Sequence, residues 1–158
     1  MKVRAATAAD HVAVVDLLTG SWGGTIAVAH GTVYDAAQLP ALLAEHDGRI
    51  VGLLTYTMAD GDLEVVTIDA TEKHVGAGGA LLAAATEIAR QAGAGRLWLI
   101  TTNDNLDALR FYQRRGMRIV GVTPGAVDAS RLTKPSIPLT GDYGIPLHDE
   151  LTLELRLT

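Results

Sequence analysis

Three glycines precede an apolar run in Lys73-His74-Val75-Gly76-Ala77-Gly78-Gly79-Ala80-Leu81-Leu82. Glycines at the start of a helix let a phosphate approach the free N–H groups of the first turn, where the helix dipole also favours negative charge. Lys73 would add a cation. The same residues also suit a loose turn feeding a core helix. Two other phosphate motifs fail: no Gly-Lys-Ser/Thr follows, and the third glycine of the dinucleotide fingerprint is missing. Further on, Asn105, Ala108 and Tyr112 stand at i, i+3 and i+7 and so share one helix face. An amide, a small side chain and a phenol on one face suit a narrow channel for a chain of amides with a reactive end. The plainer reading makes Asn105 an N-cap and Phe111–Tyr112 core.

The elements that position these residues follow from period and punctuation. Lys2 to Thr7 alternates as a first strand, and a helix capped at Thr7 or Asp10 runs over Val12, Val14, Val15, Leu17 and Leu18 to Gly20. Residues 21–40 carry no clear pattern beyond a possible helical turn at Asp35. Ala41–Glu45, Arg49–Met58 and Leu63–Ile68 are apolar runs separated by Asp47-Gly48 and Asp60-Gly61, which predicts an antiparallel meander. The period then changes: Leu81, Ala84, Ala85, Ile88 and Ala92 share a helix face, with Gly93 and Gly95 as stops. Arg96–Thr101 reads as a strand, Asn105–Arg115 as a helix ended by Gly116, and Met117–Val122 as a strand. Thr123 to His148 holds four of the five prolines and shows no periodicity, so a long loop-rich insert is expected. Leu151–Leu157 alternates as the last strand.

At 158 residues the chain is sized for a single domain, 1–158. Only 4 % of residues are aromatic, so alanine, leucine and valine must fill the interior. The net charge of −5, with no lysine or arginine run, argues against nucleic-acid or anionic-membrane partners. The absence of cysteine removes disulfides, thiolate metal sites and thiol nucleophiles. The N-terminus lacks an apolar signal core and no stretch reaches the ~18 apolar residues of a membrane span. A cytoplasmic location is the default expectation. The five histidines show no metal-ligand spacing, so no metal is expected.

Together the two motif segments resemble the GNAT-type N-acetyltransferases. That family's pattern is a strand, then Arg/Gln-x-x-Gly-x-Gly/Ala with two apolar residues, a helix, a strand, and Asn-x-x-Ala-x-x-Phe-Tyr-x-x-x-Gly-Phe. Here it reads Lys73-His-Val-Gly76-Ala-Gly78-Gly-Ala-Leu81-Leu82 and Asn105-Leu-Asp-Ala108-Leu-Arg-Phe111-Tyr112-Gln-Arg-Arg-Gly116-Met117. The two motifs lie within Val66 to Val120, about a third of the chain. Lys73, Ala70 and Met117 depart from the usual Arg or Gln, proline and Phe, and lysine cannot copy arginine's fork on a phosphate.

The resemblance implies an α/β (α+β) fold. Its central sheet would be mixed and mostly antiparallel, with about seven strands splayed between strands 4 and 5 and helices on both faces. It implies acetyl-CoA as co-substrate, with the pyrophosphate on the N–H groups of His74, Val75, Gly76, Ala77, Gly78 and Gly79. The pantetheine amides would pair with the backbone of Val66, Thr67 and Ile68, commonly helped by a bulge, and Asn105 would bond the same arm beside Ala108. Tyr112 matches the family's general acid. Glu64 stands where the family often places a carboxylate that could act as base through a water; it also reads as a solvated strand residue beside the Asp60-Gly61 turn. His30, His148, Asp149 and Glu150 are rivals for the base. Trp22 and Tyr34 could line an acceptor pocket or cover core edges.

The implied activity is acetyl transfer to a primary amine, first of a small molecule and second of a protein or peptide. A non-catalytic acyl-CoA-binding regulatory module is the alternative, and a homodimer is the family's habit.

Overall fold

Two Asp-Gly pairs set the register of the central meander. Asp47 and Gly48 hold φ of 51° and 74°, and Asp60 and Gly61 hold 55° and 77°, the paired positive values that a two-residue hairpin turn requires. They join β4 (Ala41–His46), β5 (Arg49–Ala59) and β6 (Asp62–Ala70), all antiparallel. The computed structural model describes residues 1–72 and 75–157. The remaining strands are β1 (Lys2–Ala5), β2 (Ile26–Ala29), β3 (Thr32–Asp35), β7 (Arg96–Thr102), β8 (Arg118–Thr123) and β9 (Glu150–Arg156). The helices are α1 (His11–Trp22), α2 (Ala77–Gln91), α3 (Leu106–Arg114) and α4 (Ala126–Thr133).

Seven strands form the expected mostly antiparallel sheet, and β2 and β3 form a separate hairpin. Contacts within the chain gather into two units. The first comprises Met1–Ala27, Asp35–Leu97 and the chain end; the second comprises Val28–Tyr34 and Trp98–Arg156. In the first unit the strand order is β1-β4-β5-β6, and in the second β7-β9-β8.

Both faces of the first unit's sheet are covered, and the pleat shows how. Leu43 and Leu53 are directly paired and share a buried cluster with Val14 and Leu18 of α1. Gly52, one residue earlier on β5, therefore faces the other side. There it meets α2: a Cβ added at Gly52 would lie 2.9 Å from Leu81 Cδ1, 3.1 Å from the Asp69 carbonyl oxygen and 3.2 Å from Ala77 Cβ. Only a residue without a side chain lets the first turns of α2 sit this close to the meander. Leu81, Ala85 and Ala89 are fully buried along the same helix face; of the other residues expected there, Ala84 and Ile88 are half-buried and Ala92, at the C-cap, is exposed.

Two segments depart from the sequence expectation. Beyond α1, residues up to 40 form the β2–β3 hairpin, which was not expected, and a 3-10 turn, Ala36–Gln38, capped by Asp35 where a helical turn was expected. The hairpin turn is His30-Gly31, with φ of 42° and 75°. The pair is not the Asn-Gly or Asp-Gly that signals such a hairpin, so nothing in the sequence marked it. The insert expected to be loop-rich contains α4 and another 3-10 turn at Asp142–Gly144. Eight residues with little apolar period hide such a helix. Arg131 organises the segment beyond α4: its guanidinium donates to the carbonyls of Ile137 (3.1 Å), Pro138 (2.8 Å) and Leu147 (2.7 Å) and pairs with Asp128 at 2.8 Å. Among the described residues no helix is long and apolar enough to cross a membrane.

Gly52→Ala is expected to cost about 1–3 kcal/mol through overpacking, lowering the thermal midpoint by several degrees. Gly20→Ala lies within α1, where an added methyl meets nothing within 4 Å; it should raise the midpoint, by about 0.5–1 kcal/mol in stability. Thermal unfolding of the two variants side by side checks both.

Candidate functional site

On β6 the ladder carries an extra residue. Thr55 pairs with Thr67 and Tyr56 with Val65, so Val66 bulges out of register. The bulge falls within Val66–Ile68, the stretch expected to pair with an extended ligand. Thr55 and Thr67 lock the site from below, their hydroxyls 2.7 Å apart and both buried. Glu64, opposite Thr57, is 5 % exposed. The solvated reading of this carboxylate is therefore wrong: it is a buried acid two residues from the bulge.

Past β6 the chain reaches α2 through the glycine stretch. Lys73 and His74 lie outside the described residues. Gly76 is the N-cap, in the left-handed conformation at φ 81°, and no side chain caps the helix. The first internal bond runs from Ala80 N–H to the Gly76 carbonyl at 3.0 Å. The N–H groups of Ala77, Gly78 and Gly79 thus precede the helical ladder. A Cβ built on Gly76 would meet no atom of the described residues within 4 Å. Val75 is half-buried, as are Gly78 and Gly79, and Ala77 packs inward. A helix start without a side-chain cap fits an anionic group such as a diphosphate.

In the second unit, Asn105 begins α3 but its amide caps nothing; the plainer N-cap reading fails for the side chain. Nδ2 instead donates to Thr101 Oγ1 at 3.1 Å, which fixes the amide and leaves the carbonyl oxygen as an acceptor. Ala108 is half-buried on the same face. Tyr112, one further turn on, is 6 % exposed. Its hydroxyl makes no hydrogen bond among the described residues, and no occluded side-chain oxygen or nitrogen among them lacks a partner. The phenol oxygen therefore keeps accessible surface while the ring is buried. Burial raises its pKa well above the ordinary phenol value of about 10. Such a phenol stays protonated through the neutral range and can give a proton.

Sequence reasoning missed the anchors just before α3. The Asn103 side chain donates to the Pro146 carbonyl at 2.9 Å, and its oxygen accepts from the N–H groups of His148 and Asp149 at 3.0 Å each. Asp104, buried, accepts from Thr102 and from Asp142 N–H. Nothing local in the Asn103-Asp104 pair signals these long-range bonds.

The rivals for the base are otherwise engaged. His148 is exposed, with Nδ1 3.0 Å from both Asp128 oxygens. That contact, with Arg131, lowers the Asp128 carboxyl below its usual range. Asp149 accepts the Gly125 N–H at the start of α4, at 2.9 Å. Glu150 is 4 % exposed and accepts the His30 N–H at 3.1 Å. The His30 ring lies between Thr32 Oγ1 (3.3 Å) and Tyr34 Oη (3.1 Å), with its centroid 5.2 Å from that of Trp98. Trp22, at the end of α1, is exposed.

His30 and Glu150 share a half-open cavity of about 360 Å³ within the second unit, walled on one side by Ala126, Ala129 and Ser130 of α4. Tyr34 thus serves the pocket indirectly, by holding the histidine ring.

The chain is similar to known proteins. The model of the Acetyltransferase (GNAT) family matches residues 13–117. The Bacillus subtilis (strain 168) protein YxbD is 39 % identical over 137 residues, 86 % of each chain. Streptothricin acetyltransferase of Streptomyces lavendulae is 31 % identical over 96 residues, 60 % of this chain and 51 % of that one. Among solved structures, a Bacillus subtilis acetyltransferase in complex with CoA has the same fold, with a TM-score of 0.70 at 19 % identity over 99 % of this chain and 100 % of that one. The family match covers well over half of the chain and includes both motifs: this protein belongs to the GNAT family of acetyltransferases.

Proposed function

We propose that this acetyltransferase moves the acetyl group of acetyl-CoA to a primary amine of a small molecule by direct attack. The observation that carries the reading is Tyr112, a buried phenol at the family's acid position whose unbonded hydroxyl stays accessible. A pure acyl-CoA binder has no need of a positioned proton donor. The small-molecule acceptor is supported by a cavity near the lower end of the ~300–1,000 Å³ range of ligand pockets. It is also supported by a relative named for streptothricin rather than for a protein.

The residues divide the work. The amides of Ala77, Gly78 and Gly79 receive the pyrophosphate, with Lys73 and His74, just upstream in the sequence, as further contributors. The bulged segment Val66–Ile68 offers backbone donors and acceptors to the pantetheine amides, and Asn105 offers its free carbonyl oxygen beside Ala108. Acetyl-CoA supplies a thioester carbonyl for a neutral amine to attack and a thiolate to leave. A free alkylammonium has a pKa of about 10.4, so a base must first take its proton. Glu64, buried beside the bulge, fills that role through a water. Tyr112 protonates the departing sulfur as the C–N bond replaces the C–S bond.

Release of CoA thiol, followed with a panel of primary amines, tests the reading. Thermal stabilisation by acetyl-CoA without thiol release from any amine would make the protein a binder instead. Tyr112→Phe should lower turnover at least tenfold, within the ~10²–10⁴ range of general acid catalysis, while the acetyl-CoA-dependent thermal shift stays close to wild type. Because burial raises this phenol's pKa, the wild-type rate should show no loss from its ionisation up to about pH 10; a fall centred below that point would remove Tyr112 as the acid. Glu64→Gln should lower turnover at neutral pH and recover part of the loss at high pH, where the amine is already neutral. A pH-independent deficit would assign Glu64 a structural role only.

A further inference from the structure

We propose that Thr57 is a positioning residue for the proton transfer: its hydroxyl holds the water through which Glu64 takes the proton of the acceptor ammonium. This deepens the acetyl-transfer reading and rests on it.

The side of β5 that carries Leu53 changes character along the strand. Leu53 lies in the buried cluster with Val14 and Leu18 of α1. Thr55 and Thr57 follow it at i+2 and i+4, on the same side. Their partners on β6 are Thr67, opposite Thr55, and Glu64, opposite Thr57. An apolar face thus gives way to three hydroxyls and one carboxylate, brought to one side by the bulge at Val66. The four side chains are not equally engaged. Thr55 and Thr67 are buried and bond each other at 2.7 Å. Glu64 is buried and has a further interaction of its own; a carboxylate offers about four lone-pair sites, so such a partner leaves capacity for a water. Thr57 is half-buried, and its hydroxyl makes no hydrogen bond among the described residues. Since no occluded side-chain oxygen among them lacks a partner, this oxygen keeps accessible surface.

Threonine is an ordinary strand residue, so what assigns Thr57 is its place. Directly opposed side chains of an antiparallel pair have Cβ atoms about 4.5–5.5 Å apart. A hydroxyl and a longer carboxylate at that spacing can share one water, and a water held in a protein makes about three hydrogen bonds. Here the third partner is the acceptor. The ammonium N–H donates to the water oxygen, the water donates to a Glu64 oxygen, and the Thr57 hydroxyl gives or takes the remaining bond. As the ammonium N–H bond breaks, its proton joins the water, and the water's own proton passes to Glu64. The nitrogen keeps the electron pair with which it attacks the thioester carbonyl, and Glu64 later returns the proton to solvent. Without the Thr57 hydroxyl the water loses one of its anchors, and the carboxylate loses its ordered line to the amine.

CoA thiol release tests this with the most active alkylamine of the panel and with its β-fluorinated analogue, which is largely neutral at neutral pH. Thr57→Val removes the hydroxyl at nearly constant volume. With the alkylamine at neutral pH it should lower kcat/KM at least about tenfold, a fraction of the ~10²–10⁴ that proton-transfer catalysis contributes, and the loss should shrink at high pH. With the fluorinated amine the variant should match wild type, and Thr57→Ser should restore the alkylamine rate. In Glu64→Gln, Thr57→Val should add little further loss, because two residues that hold one water are not independent. If Thr57→Val does not fold, Thr57→Ala against Thr57→Ser carries the same comparison. A crystal structure of the wild type should place a water within hydrogen-bond distance of Thr57 Oγ1 and a Glu64 oxygen, and Thr57→Val should lack it. An unchanged rate, equal losses with both amines, a loss that multiplies with that of Glu64→Gln, or the absence of that water overturns the proposal. A loss in Glu64→Gln alone leaves the base reading standing and removes only Thr57. If Glu64→Gln costs nothing, or no amine releases thiol, the reading beneath has failed and the relay falls with it.

Discussion

A helix cannot satisfy its own first amides, and among the described residues no side chain caps those of α2. The usual partner, a serine, threonine or aspartate oxygen, is replaced by Gly76 in the left-handed conformation. Much of the first unit is arranged around that choice. Gly52 admits the helix start against β5, and the buried row of Leu81, Ala85 and Ala89 holds it there. The helix is therefore anchored by hydrocarbon along its length, and the N–H groups ahead of the Ala80–Gly76 bond take no side-chain cap among the described residues. The stability of α2 is drawn from its buried face and not from its first turn.

What could be read from the chain, and what could not, depends on interaction range. The Asp47-Gly48 and Asp60-Gly61 hairpins were legible because their turn chemistry is local. So were the face of α2 and the shared face of Asn105, Ala108 and Tyr112, which depend on period alone. The His30-Gly31 hairpin was not legible, because the carboxylate that bonds His30 lies 120 residues away. The helix α4 was hidden for a related reason: Asp149 accepts an N–H at its start from outside the helix, and Arg131 binds the segment beyond it. The accessible oxygen of Tyr112 and the burial of Glu64 also required coordinates, since periodicity places a side chain on a face without telling how deeply that face is covered.

The second unit uses polar side chains where the first uses leucine. Asn103, Asp104 and Arg131 together hold the segment from Lys134 to Asp149 by bonds to its backbone. The proline-rich stretch is thereby fixed to the residues that begin α3, the helix that carries Tyr112. Gly141 belongs to this arrangement, for any Cβ there would overlap the Asp104 carboxyl. Sequence change on the outer side of the insert can proceed with these few contacts unaltered. A family that keeps one cofactor and varies its acceptor is well served by that separation.

The surplus residue in β6 has one more effect. Because Thr57 stands opposite Glu64 and Thr55 opposite Thr67, Glu64 and Thr67 project to the same side of the sheet although an odd number of positions separates them. In an even ladder they would project to opposite sides. Strand length, and not only side-chain identity, is thus part of what aims this acid: deletion of Val66 would regularise the ladder and leave Glu64 on the same side, whereas an unbulged strand of unchanged length would carry it to the other.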